Sequence, residues 1–449
     1  MAAAPAVASP PDKGPLERLL SPLADVRRGE APSALLLTLV MFLLLSSYYM
    51  LKTAREVFIL SGGGAEVKSY ASAGQALLLL LLVPAYGAFA ARVRRSTLIS
   101  CVSLFFTANI LLFALAARAH FRIGVPYFLW LGIYNVMVVA QFWALANDVY
   151  TKDQGRRLFP LIGVGSSLGA WIGSVRAGTL IQAMGPIRLL IGGAAILLVC
   201  AGLARIVDVW ATGNQSPAEA AAADAPVAGG RSGFGLLLSD RYLGSIALLT
   251  VLLNVVNSTG EYLFGRYVVE TATAMHGAGE AAAAARGQFI GDAYSRFYSA
   301  TNFIGLLLQM FAVSAIFRFL GVGRALFIHP LIAGAGYLMM LRAPSFEAMR
   351  WLKTADNAVD YSLGNTTRQA LWLPTSREAK YKAKQAVDSF CVRAGDVLQA
   401  GVVYAGERAA FTLPVFAVVN LVLTGAWLAA ASSLNRRLSR DDPAPKAIL

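Results

Sequence analysis

The sequence predicts an all-α membrane protein with about twelve transmembrane helices in two pseudo-repeated six-helix bundles. Of its 449 residues, 57% are hydrophobic and 14% are charged, whereas an average soluble domain carries about 25% charged residues. Twelve helices of about 20 apolar residues need roughly 240 positions, which is close to the whole hydrophobic content of the chain. A transmembrane β-barrel is excluded, because its strands alternate apolar and polar residues and lack continuous apolar runs.

Apolar runs of the length of a membrane span locate the helices. We expect them at 32–58, 69–90, 97–117, 124–147, 158–182, 187–209, 243–265, 297–319, 322–341, 345–373, 384–406 and 411–434. The segment 1–31 lacks the charged start, apolar centre and small-residue cleavage site of a removable signal peptide. We therefore expect it to form a cytoplasmic tail.

The chain divides near its middle. Residues 210–242 are rich in Ala, Gly, Pro and Ser, as is typical of a flexible cytoplasmic linker. The linker separates an N-terminal bundle, 32–209, from a C-terminal bundle, 243–434, and a second tail, 435–449, follows. The junctions FWALANDVYTKDQGRRLF and RQALWLPTSREAKYKAK occupy equivalent places in the two halves. This is the layout of the major facilitator superfamily, which predicts a substrate site between the halves near the membrane midplane.

The formal charge of +14 is explained first by orientation in the membrane. Basic residues concentrate on alternate loops and on the C-terminal tail, and this bias places both termini in the cytoplasm. The cytoplasmic set is Arg92, Arg94, Arg95, Lys152, Arg156, Arg157, Arg231, Arg241, Arg318, Arg324, Arg377, Lys380, Lys382, Lys384, Arg436, Arg437 and Arg440. We therefore predict a multi-pass protein of the inner (plasma) membrane whose partners are membrane lipids, bound through lysines such as Lys380, and not nucleic acid.

The sequence gives no sign of enzymatic chemistry. Its three histidines lack metal-ligand spacing, and no glycine-rich loop ends in Gly-Lys-Ser/Thr. We therefore expect no catalytic residue, no metal and no cofactor, and transport driven by gradients or by exchange. Gly165, Gly169 and Gly173 lie on one helical face, which predicts the close approach of a second helix.

Ionisable residues within the spans are the sharpest functional signal, since each costs several kcal/mol unless it faces a polar cavity or a partner. Lys52, Arg55 and Glu56 lie at i, i+3 and i+4 on one face of the first helix. A basic pair with its own acid suits a phosphate clamp; alternatively, the three side chains snorkel to the membrane interface. Arg176, a lone deep cation among small residues of the fifth helix, is a candidate anion ligand.

Two further helices carry polar residues on one face. Asp148 ends the fourth helix and either caps the following loop or belongs to a gate or site. In the seventh helix a polar stripe that includes Asn257 and Glu261 must face something wet. Arg266, just over one turn further along, is the competing partner for Glu261.

The tenth and eleventh helices contain paired charges. Lys353, Asp356 and Asp360 share a face of the tenth helix. The two acids beside one lysine are either a proton or cation site or an ion-pair network that only holds the helix among its neighbours. In the eleventh helix, Arg393 and Asp396 are three residues apart and are expected to pair.

Three stretches resemble the ATP/ADP translocase family, the nucleotide transporters of bacteria, chlamydiae, rickettsiae and plastids. They are LKTAREVFILSGGGAE from Leu51, FWALANDVYTKDQGRRLFPLIGVGSSLGA from Phe142 and KYKAKQAVD from Lys380. The likeness spans essentially the whole membrane region in the right order. It implies a major facilitator-like fold and exchange of ATP for ADP or a related nucleotide without hydrolysis.

The resemblance also implies roles for the charged residues of the first helix. The family's essential lysine falls on Arg55, its neighbouring acid on Glu56 and its leading arginine on Lys52. The exchange of Arg for Lys, and of Lys for Arg, keeps the charge but alters reach and hydrogen-bonding geometry.

Three more positions match the family in other helices. Its helix-four glutamate falls on Asp148, its helix-seven glutamate on Glu261, and the lysine before its helix eleven on Lys382 or Lys384. Glu261 matches in residue type, whereas Asp148 has a shorter side chain than the family's glutamate.

Three functions remain as hypotheses. The first is exchange of ATP, ADP or related nucleotides across the membrane. The second is transport of another anion or metabolite by the same fold, coupled to protons through Asp356 and Asp360. The third is a membrane accessory protein that has lost transport and whose polar stripes pair internally. The expected ligand is a nucleotide or another phosphorylated anion, and the oligomeric state is open.

Overall fold

A computed structural model describes residues 14–20, 24–90, 95–212, 233–342, 345–376, 379 and 383–441. Within these ranges every regular element is helical. The α-helices are α1 Pro15–Leu20, α2 Ala31–Ala90, α3 Arg95–Arg118, α4 Gly124–Val149, α5 Lys152–Met184, α6 Pro186–Thr212, α7 Gly233–Ser239, α8 Arg241–His276, α9 Ala283–Leu307, α10 Val313–Ala325, α11 Ile328–Met340, α12 Phe346–Val359, α13 Asn365–Ala370, α14 Lys384–Ala386, α15 Val392–Arg408 and α16 Leu413–Asp441. Between them lie a 3₁₀ turn at Glu280–Ala282 and π-helical segments at Leu308–Ala312, Asp360–Gly364 and Val387–Cys391.

The helices have the length and composition of membrane spans. Among the described residues, eight helical stretches are long and apolar enough to cross a membrane, and Ile328–Met340 is a shorter apolar helix. The predicted class, an all-α multi-pass membrane protein, is confirmed. The number of twelve spans stays a prediction, as do the boundaries of the two bundles and of the linker, most of which lies outside the described residues.

The first predicted connection is much shorter than expected. We predicted a loop between 58 and 69, but α2 is helical on both sides of Gly64. Gly64 has φ 78° and ψ −176°, a conformation that residues with a Cβ atom adopt only with strain. The chain therefore reverses at a glycine kink, and Lys68 follows one turn after it.

The eighth predicted helix begins earlier than its hydropathy indicates. We expected it to start at 297, but α9 starts at Ala283. The polar first half of α9 packs against other helices of the protein: a Cβ atom on Gly291 would lie 2.8 Å from Ile181 and 3.2 Å from Val57. A helix that buries its face against protein needs less apolar surface than one that faces lipid, which is why hydropathy missed this part.

Connections alternate between two ends of the bundle, because successive long helices run in opposite directions. The breaks at Gly64, His120, Gly185, Gly277 and Ala410 lie at one end, which we call the Gly64 end. The opposite end contains the start of α2 and the end of α16, and we call it the termini end.

The central helix is α2. It packs against α4, α5 and α6 on one side, and against α8, α9 and α15 on the other. Because α9 also packs against α5, the N-terminal and C-terminal parts of the chain meet along these helices. Any polar residue on this contact must find a partner there.

The glycine face of α5 packs directly on the backbone of α2, as predicted. A Cβ atom on Gly169 would lie 2.2 Å from the carbonyl oxygen of Phe42, and one on Gly173 would lie 2.5 Å from that of Ser46. These separations are too short for any side chain, so the two helices touch through glycine.

An ion pair fixes the start of α2 to α5 at the termini end. Arg157 donates to both carboxylate oxygens of Glu30, each at 2.8 Å, and Gln154 donates to the same carboxylate at 3.2 Å. The hydrogen bonds from Arg157 are the main reason that the pKa of Glu30 falls from 4.5 to about 2. Because the ionised carboxylate is the form that the fold stabilises, protonation removes this contribution.

The substitution Gly169→Ala should destabilise the protein by about 1–3 kcal/mol or prevent folding, since the added methyl group meets backbone on α2. The control is Gly163→Ala on the same helix, where an added Cβ atom has no neighbour within 4 Å. That change should be neutral or slightly stabilising. Thermal unfolding in detergent measures both, and equal melting temperatures for the two variants would contradict the packing.

Stability should fall as the pH drops from about 4.5 toward 2, the interval between the unfolded and folded pKa of Glu30. In Arg157→Met this loss should become smaller, since only Gln154 and the backbone of Arg27 still stabilise the carboxylate, while stability at pH 7 falls by about 1–3 kcal/mol because the charged hydrogen bonds are gone. Asp153→Asn is the control, since Asp153 is an exposed partner of the same arginine. The test is the melting temperature of each protein as a function of pH. Parallel profiles for wild type and Arg157→Met would show that Arg157 does not stabilise the ionised Glu30.

Candidate functional site

Six charged side chains of alternating sign, preceded by the imidazole of His329, run through the contact between the two parts of the chain. In order from the C-terminal to the N-terminal part they are His329, Asp356, Lys353, Glu261, Lys68, Glu56 and Arg55. We call this series the charge chain. Buried charges are tolerated in a membrane protein when each has an opposite neighbour.

Glu56 is the centre of the N-terminal part of the charge chain. Its Oε2 atom lies 2.8 Å from Lys68 Nζ, and Arg55 donates to Oε1. Tyr298 on α9 donates its hydroxyl to the same oxygen at 3.1 Å. The Arg55 guanidinium also lies over the ring of Phe128, 4.4 Å from its centroid. Glu56 thus ties both arms of the kinked helix α2 to α9.

Lys353 is the centre of the C-terminal part, and only 1% of its side chain is exposed. Its Nζ atom donates to Asp356 Oδ2 at 2.8 Å and to Asn257 Oδ1 at 2.7 Å. Glu261 Oε1 lies 3.8 Å from the same nitrogen and accepts from Asn357 at 2.8 Å. Asn257 and Glu261 on α8 therefore face α12.

The rest of the polar stripe on α8 faces a different helix. Asn254 and Ser258 donate to Asp396 on α15 at 2.9 Å and 3.2 Å. The expected pair between Arg393 and Asp396 is present, with Nη1 and Oδ2 3.3 Å apart. One stripe thus supports two neighbouring helices.

Arg266 does not pair with Glu261, the alternative that the sequence left open. Its guanidinium lies 2.9 Å from Glu270 and 2.9 Å from Glu407, and it donates to the hydroxyl of Tyr262 at 3.2 Å. Glu261 is therefore available to the charge chain.

The link between the two parts is the longest in the series. Lys68 Nζ and Glu261 Oε2 are 3.9 Å apart, beyond the range of a hydrogen bond. Further hydrogen bonds between the two parts lie in the half of the bundle nearer the Gly64 end. They join Gln399 to Ser69 at 3.1 Å, Gln182 to Asp292 at 3.0 Å and Ser295 to the carbonyl of Ser174 at 2.7 Å. The bond from Tyr298 to Glu56 and longer bonds from Lys68 to Tyr294 and from Asn302 to Ser174, both at 3.3 Å, also join the two parts. The structure is therefore closed at that end by a few polar contacts.

Lys52 has no carboxylate within 4 Å among the residues that the structure describes. Its Nζ atom lies instead over aromatic rings, 4.2 Å from the centroid of Tyr298 and 5.1 Å from that of Tyr49. We count the permanent charges of Lys52, of the charge chain and of the adjoining pair of Arg368 and Asp360. This set contains one more cation than anions. The cations are Lys52, Arg55, Lys68, Lys353 and Arg368, and the anions are Glu56, Glu261, Asp356 and Asp360.

Asp356 and Asp360 meet at His329, a residue that the sequence did not single out. The Nε2 atom of His329 lies 3.1 Å from Asp356 Oδ1, and its Nδ1 atom lies 3.8 Å from Asp360 Oδ1. Arg368 Nη1 holds the same Asp360 oxygen at 2.7 Å. The two acids are thus members of an ion-pair network, one of the two interpretations of the sequence, and that network also contains a titratable ring.

Several predicted site residues lie apart from this cluster. Asp148 is in the last turn of α4, but its side chain falls outside the described part of the chain, and so does Lys382. Lys384 begins α14 and is partly exposed. Arg393 belongs to the pair on α15 described above.

Arg176 occupies a different face of α5 from the one that contacts α9. It is exposed beside Ile172 and Val175, which are 36% and 42% exposed, whereas Ser174 accepts from α9. The structure therefore places Arg176 on an outward apolar face and does not bring it to the charge chain.

Comparison with known proteins gives distant relatives. No established protein-family model matches the sequence. Two curated relatives are the ADP,ATP carrier protein 1, chloroplastic, of Arabidopsis thaliana and the ADP,ATP carrier protein 1 of Chlamydia muridarum, each 23% identical, over 340 and 335 residues. These matches cover 67% of this chain, and 51% and 62% of the respective relatives. The chain therefore spans about half to three-fifths of the length of these relatives.

Solved structures of transporters match nearly the whole chain. A bacterial homologue of the human lysosomal transporter Spinster covers 94% of this chain and 100% of its own, with a TM-score of 0.58 and 14% identity. A bacterial homologue of the iron transporter ferroportin covers 89% and 99%, with a TM-score of 0.63 and 13% identity. The nucleoside transporter NupG covers 90% and 98%, with a TM-score of 0.59 and 13% identity. The chain has the major facilitator fold.

The residues of the candidate site that sequence reasoning missed are Lys68, Tyr298 and His329. Lys68 follows a glycine-rich stretch that resembled a loop, so it was not recognised as part of a span. A lysine one turn after a Gly-Gly-Gly run, directly before the apolar run that begins at 69, is the signal that could have found it. Tyr298 and His329 carry no comparable local signal, because their partners are on other helices.

Lys68→Met should destabilise the folded protein by about 3–5 kcal/mol, since it removes an opposite charge from a buried carboxylate. Lys68→Arg keeps the charge and should recover most of that loss. Arg296→Met is the control, because Arg296 pairs with Asp292 at 2.8 Å but is 62% exposed and should contribute about 0–1 kcal/mol. Thermal unfolding in detergent measures all three, and a loss for Lys68→Met as small as that for Arg296→Met would contradict the role of the charge chain.

Proposed function

We propose that this membrane protein exchanges nucleotides, ATP for ADP or a related pair, by alternating access of its two bundles and without hydrolysis. The observation that carries the proposal is Lys52, a cation with no carboxylate partner among the described residues, beside a buried chain of paired charges. The distant similarity to the ADP,ATP carrier proteins of Arabidopsis thaliana and Chlamydia muridarum supports nucleotides as the anions.

The charge balance of the site favours an anionic substrate. Lys52 and Arg55 are one turn apart on α2, so a phosphate group that reaches Lys52 also comes near Arg55. The guanidinium provides a planar pair of donors for phosphate oxygens, and the ammonium provides a point charge. Arg55 already donates to Glu56. An incoming phosphate therefore competes with this carboxylate for the guanidinium, and phosphate binding weakens the contacts of Glu56 with its neighbours.

The same excess of positive charge explains why transport takes the form of exchange. Moving an unneutralised cation through the membrane interior costs several kcal/mol. The empty site therefore changes its side of access less readily than a site loaded with an anion. A second nucleotide, bound through the phosphates that ATP and ADP share, lowers this cost and drives the return step.

The contact between the two bundles suits alternating access. The Lys68–Glu261 ion pair is 3.9 Å long, and the hydrogen bonds that accompany it between the bundles each contribute only about 0.5–1.5 kcal/mol net. Opening at the Gly64 end then requires the loss of a few modest contacts, whereas the pairs within each bundle remain.

A membrane accessory protein without transport would pair its polar residues internally. Most members of the charge chain have an oppositely charged neighbour. This part of the structure is therefore compatible with the accessory hypothesis as well as with transport. Lys52 favours transport over the accessory role, because it has no carboxylate partner among the described residues and its contacts with the rings of Tyr49 and Tyr298 leave the ammonium available to an anion.

We further propose that the protein lies in the inner (plasma) membrane with both termini in the cytoplasm, so that the termini end is cytoplasmic. Arg241, Arg436 and Arg437 line an open cleft of about 470 Å³ at that end. A basic cleft at the cytoplasmic surface suits anionic lipid headgroups, which is the role expected for lipids as partners.

Proteoliposomes preloaded with ADP should take up labelled ATP, and liposomes without internal nucleotide should take up little. Lys52→Met should lower the initial exchange rate about tenfold or more, because a charge-assisted contact to phosphate of about 1.5–3 kcal/mol is lost. Arg122→Met, which removes an exposed cation before α4, is the control and should keep the wild-type rate.

Binding is checked separately from flux. ATP or ADP at about 100 times its Kd should stabilise the purified protein by about 2.7 kcal/mol, and this stabilisation should be reduced in Lys52→Met. ATP uptake into ADP-loaded liposomes no faster than that of the Lys52→Met or Arg55→Ala protein would overturn the proposal.

A further inference from the structure

His329 is a buried imidazole held between two carboxylates. It is 4% exposed and lies in the first turn of α11, facing Asp356 and Asp360 of the neighbouring helix. Trp427 of α16 packs edge-on against the imidazole, with ring centroids 4.8 Å apart. Neither nucleotide exchange nor the packing of α11 requires a titratable ring at this position.

One nitrogen of this ring has no hydrogen-bond partner. The 3.1 Å contact between Nε2 and Asp356 places the proton of a neutral imidazole on Nε2, since a carboxylate only accepts. Nδ1 is then an acceptor, and it is buried and unsatisfied. Its lone pair faces Asp360 Oδ1 at 3.8 Å, so that two acceptors oppose each other. A proton on Nδ1 turns this repulsion into attraction.

Each carboxylate near the ring has a permanent cation as a neighbour. Lys353 holds the second oxygen of Asp356 at 2.8 Å, and Arg368 holds Asp360 at 2.7 Å. On α8, Glu261 lies 3.8 Å from Lys353 and 3.9 Å from Lys68. Three carboxylates thus face three permanent cations, and the reason for a proton on the imidazole is the unsatisfied Nδ1 atom that faces Asp360.

The other helices against α11 leave this count unchanged. Trp427 is the residue of α16 that contacts the His329 ring, and its indole is uncharged. The charged residues of α10 are Arg318 and Arg324, and among the described contacts neither forms an ion pair with this cluster. The balance is therefore set by α8, by α12 and by the π-helical turn that carries Asp360.

We propose that His329 is a proton-binding site of this transporter, and that the proton it binds is linked to opening at the Gly64 end. In the binding step Nδ1 takes a proton from hydronium: one N–H bond forms, one O–H bond breaks, a water molecule is released, and the charge of the cluster rises by one. This proton site does not rest on the identity of the transported anion.

The link follows from the order of the charge chain. An imidazolium attracts Asp356 and repels the Lys353 ammonium on the far side of it. Lys353 then moves its interaction toward Glu261, its other acidic neighbour. Glu261 is shared between Lys353 and Lys68, so a closer Lys353 weakens the 3.9 Å contact with Lys68. Because that contact joins the two bundles, protonation favours separation at the Gly64 end.

The chain offers a direct test, because it contains only three histidines. Uniformly ¹⁵N-histidine-labelled protein in nanodiscs reports the protonation state of each imidazole through its nitrogen chemical shifts. In the variant with His120→Gln and His276→Gln, which removes the two exposed rings, the remaining signals belong to His329. Spectra are recorded as the pH is lowered from about 8 to 5, the range in which an imidazole changes charge, and both nitrogens should move to imidazolium values.

A matched variant tests the geometry. Asp360→Asn removes the carboxylate that faces Nδ1 and should lower the ratio of imidazolium to neutral ring about tenfold or more at a given pH. A neutral His329 over the whole range, or a titration that Asp360→Asn leaves unchanged, would overturn the site. The measurement requires no nucleotide, so failure of nucleotide exchange and failure of the proton site are separate results.

The link to opening is tested by distances between spin labels. Cysteines replace Phe121 and Ala409, which are exposed in connections at the Gly64 end, in a background without the three native cysteines. The distance between the labels should lengthen as the pH falls, and His329→Gln should remove this response. A titrating His329 with an unchanged distance distribution would overturn the link, whereas a pH-dependent distance that persists in His329→Gln would assign it to another group.

Discussion

The buried carboxylate of Glu56 is the constraint on which the rest of the site depends. It is fully buried within the membrane region, where an unpaired charge is costly. Arg55, Lys68 and Tyr298 each satisfy it from a different segment. Lys68 reaches it only because α2 reverses at Gly64, and Tyr298 reaches it only because α9 lies against α2. The kink, the helix contact and the charge pairing are therefore one arrangement and not three separate features.

Much of the fold was predictable because its physical cause is local. Low charge and long apolar runs identify a membrane protein in any sequence, and the stripe of Gly165, Gly169 and Gly173 identifies a close helix contact. Prediction was wrong where burial occurs against protein and not lipid. The start of α9 at Ala283 and the single-residue break at Gly64 both involve polar or small residues that hydropathy takes for loops.

The candidate site was predictable only in part, because spacing along one helix shows which residues share a face but not what that face meets. The sequence grouped Lys52, Arg55 and Glu56 correctly, yet Glu56 and its partner Tyr298 are 242 residues apart. Arg176 satisfied the same reasoning as Lys52, and the structure places it on an outward face. When several faces of a helix are apolar, sequence does not tell which of them faces lipid.

Two bundles can separate at low cost only if no buried charge loses all of its oppositely charged neighbours. At an effective dielectric constant near 20, two charges about 4 Å apart attract by about 4 kcal/mol, so the Lys68–Glu261 contact is significant. Breaking it nevertheless leaves Lys68 beside Glu56 at 2.8 Å, and Glu261 beside Lys353 and bonded to Asn357. Lys68 and Glu261 each keep an opposite charge within their own bundle after separation, so breaking their contact leaves neither of them as an unpaired buried charge. Under the proposed alternating access, the long Lys68–Glu261 contact breaks, and the shorter ion pairs on either side of it stay within their own bundles.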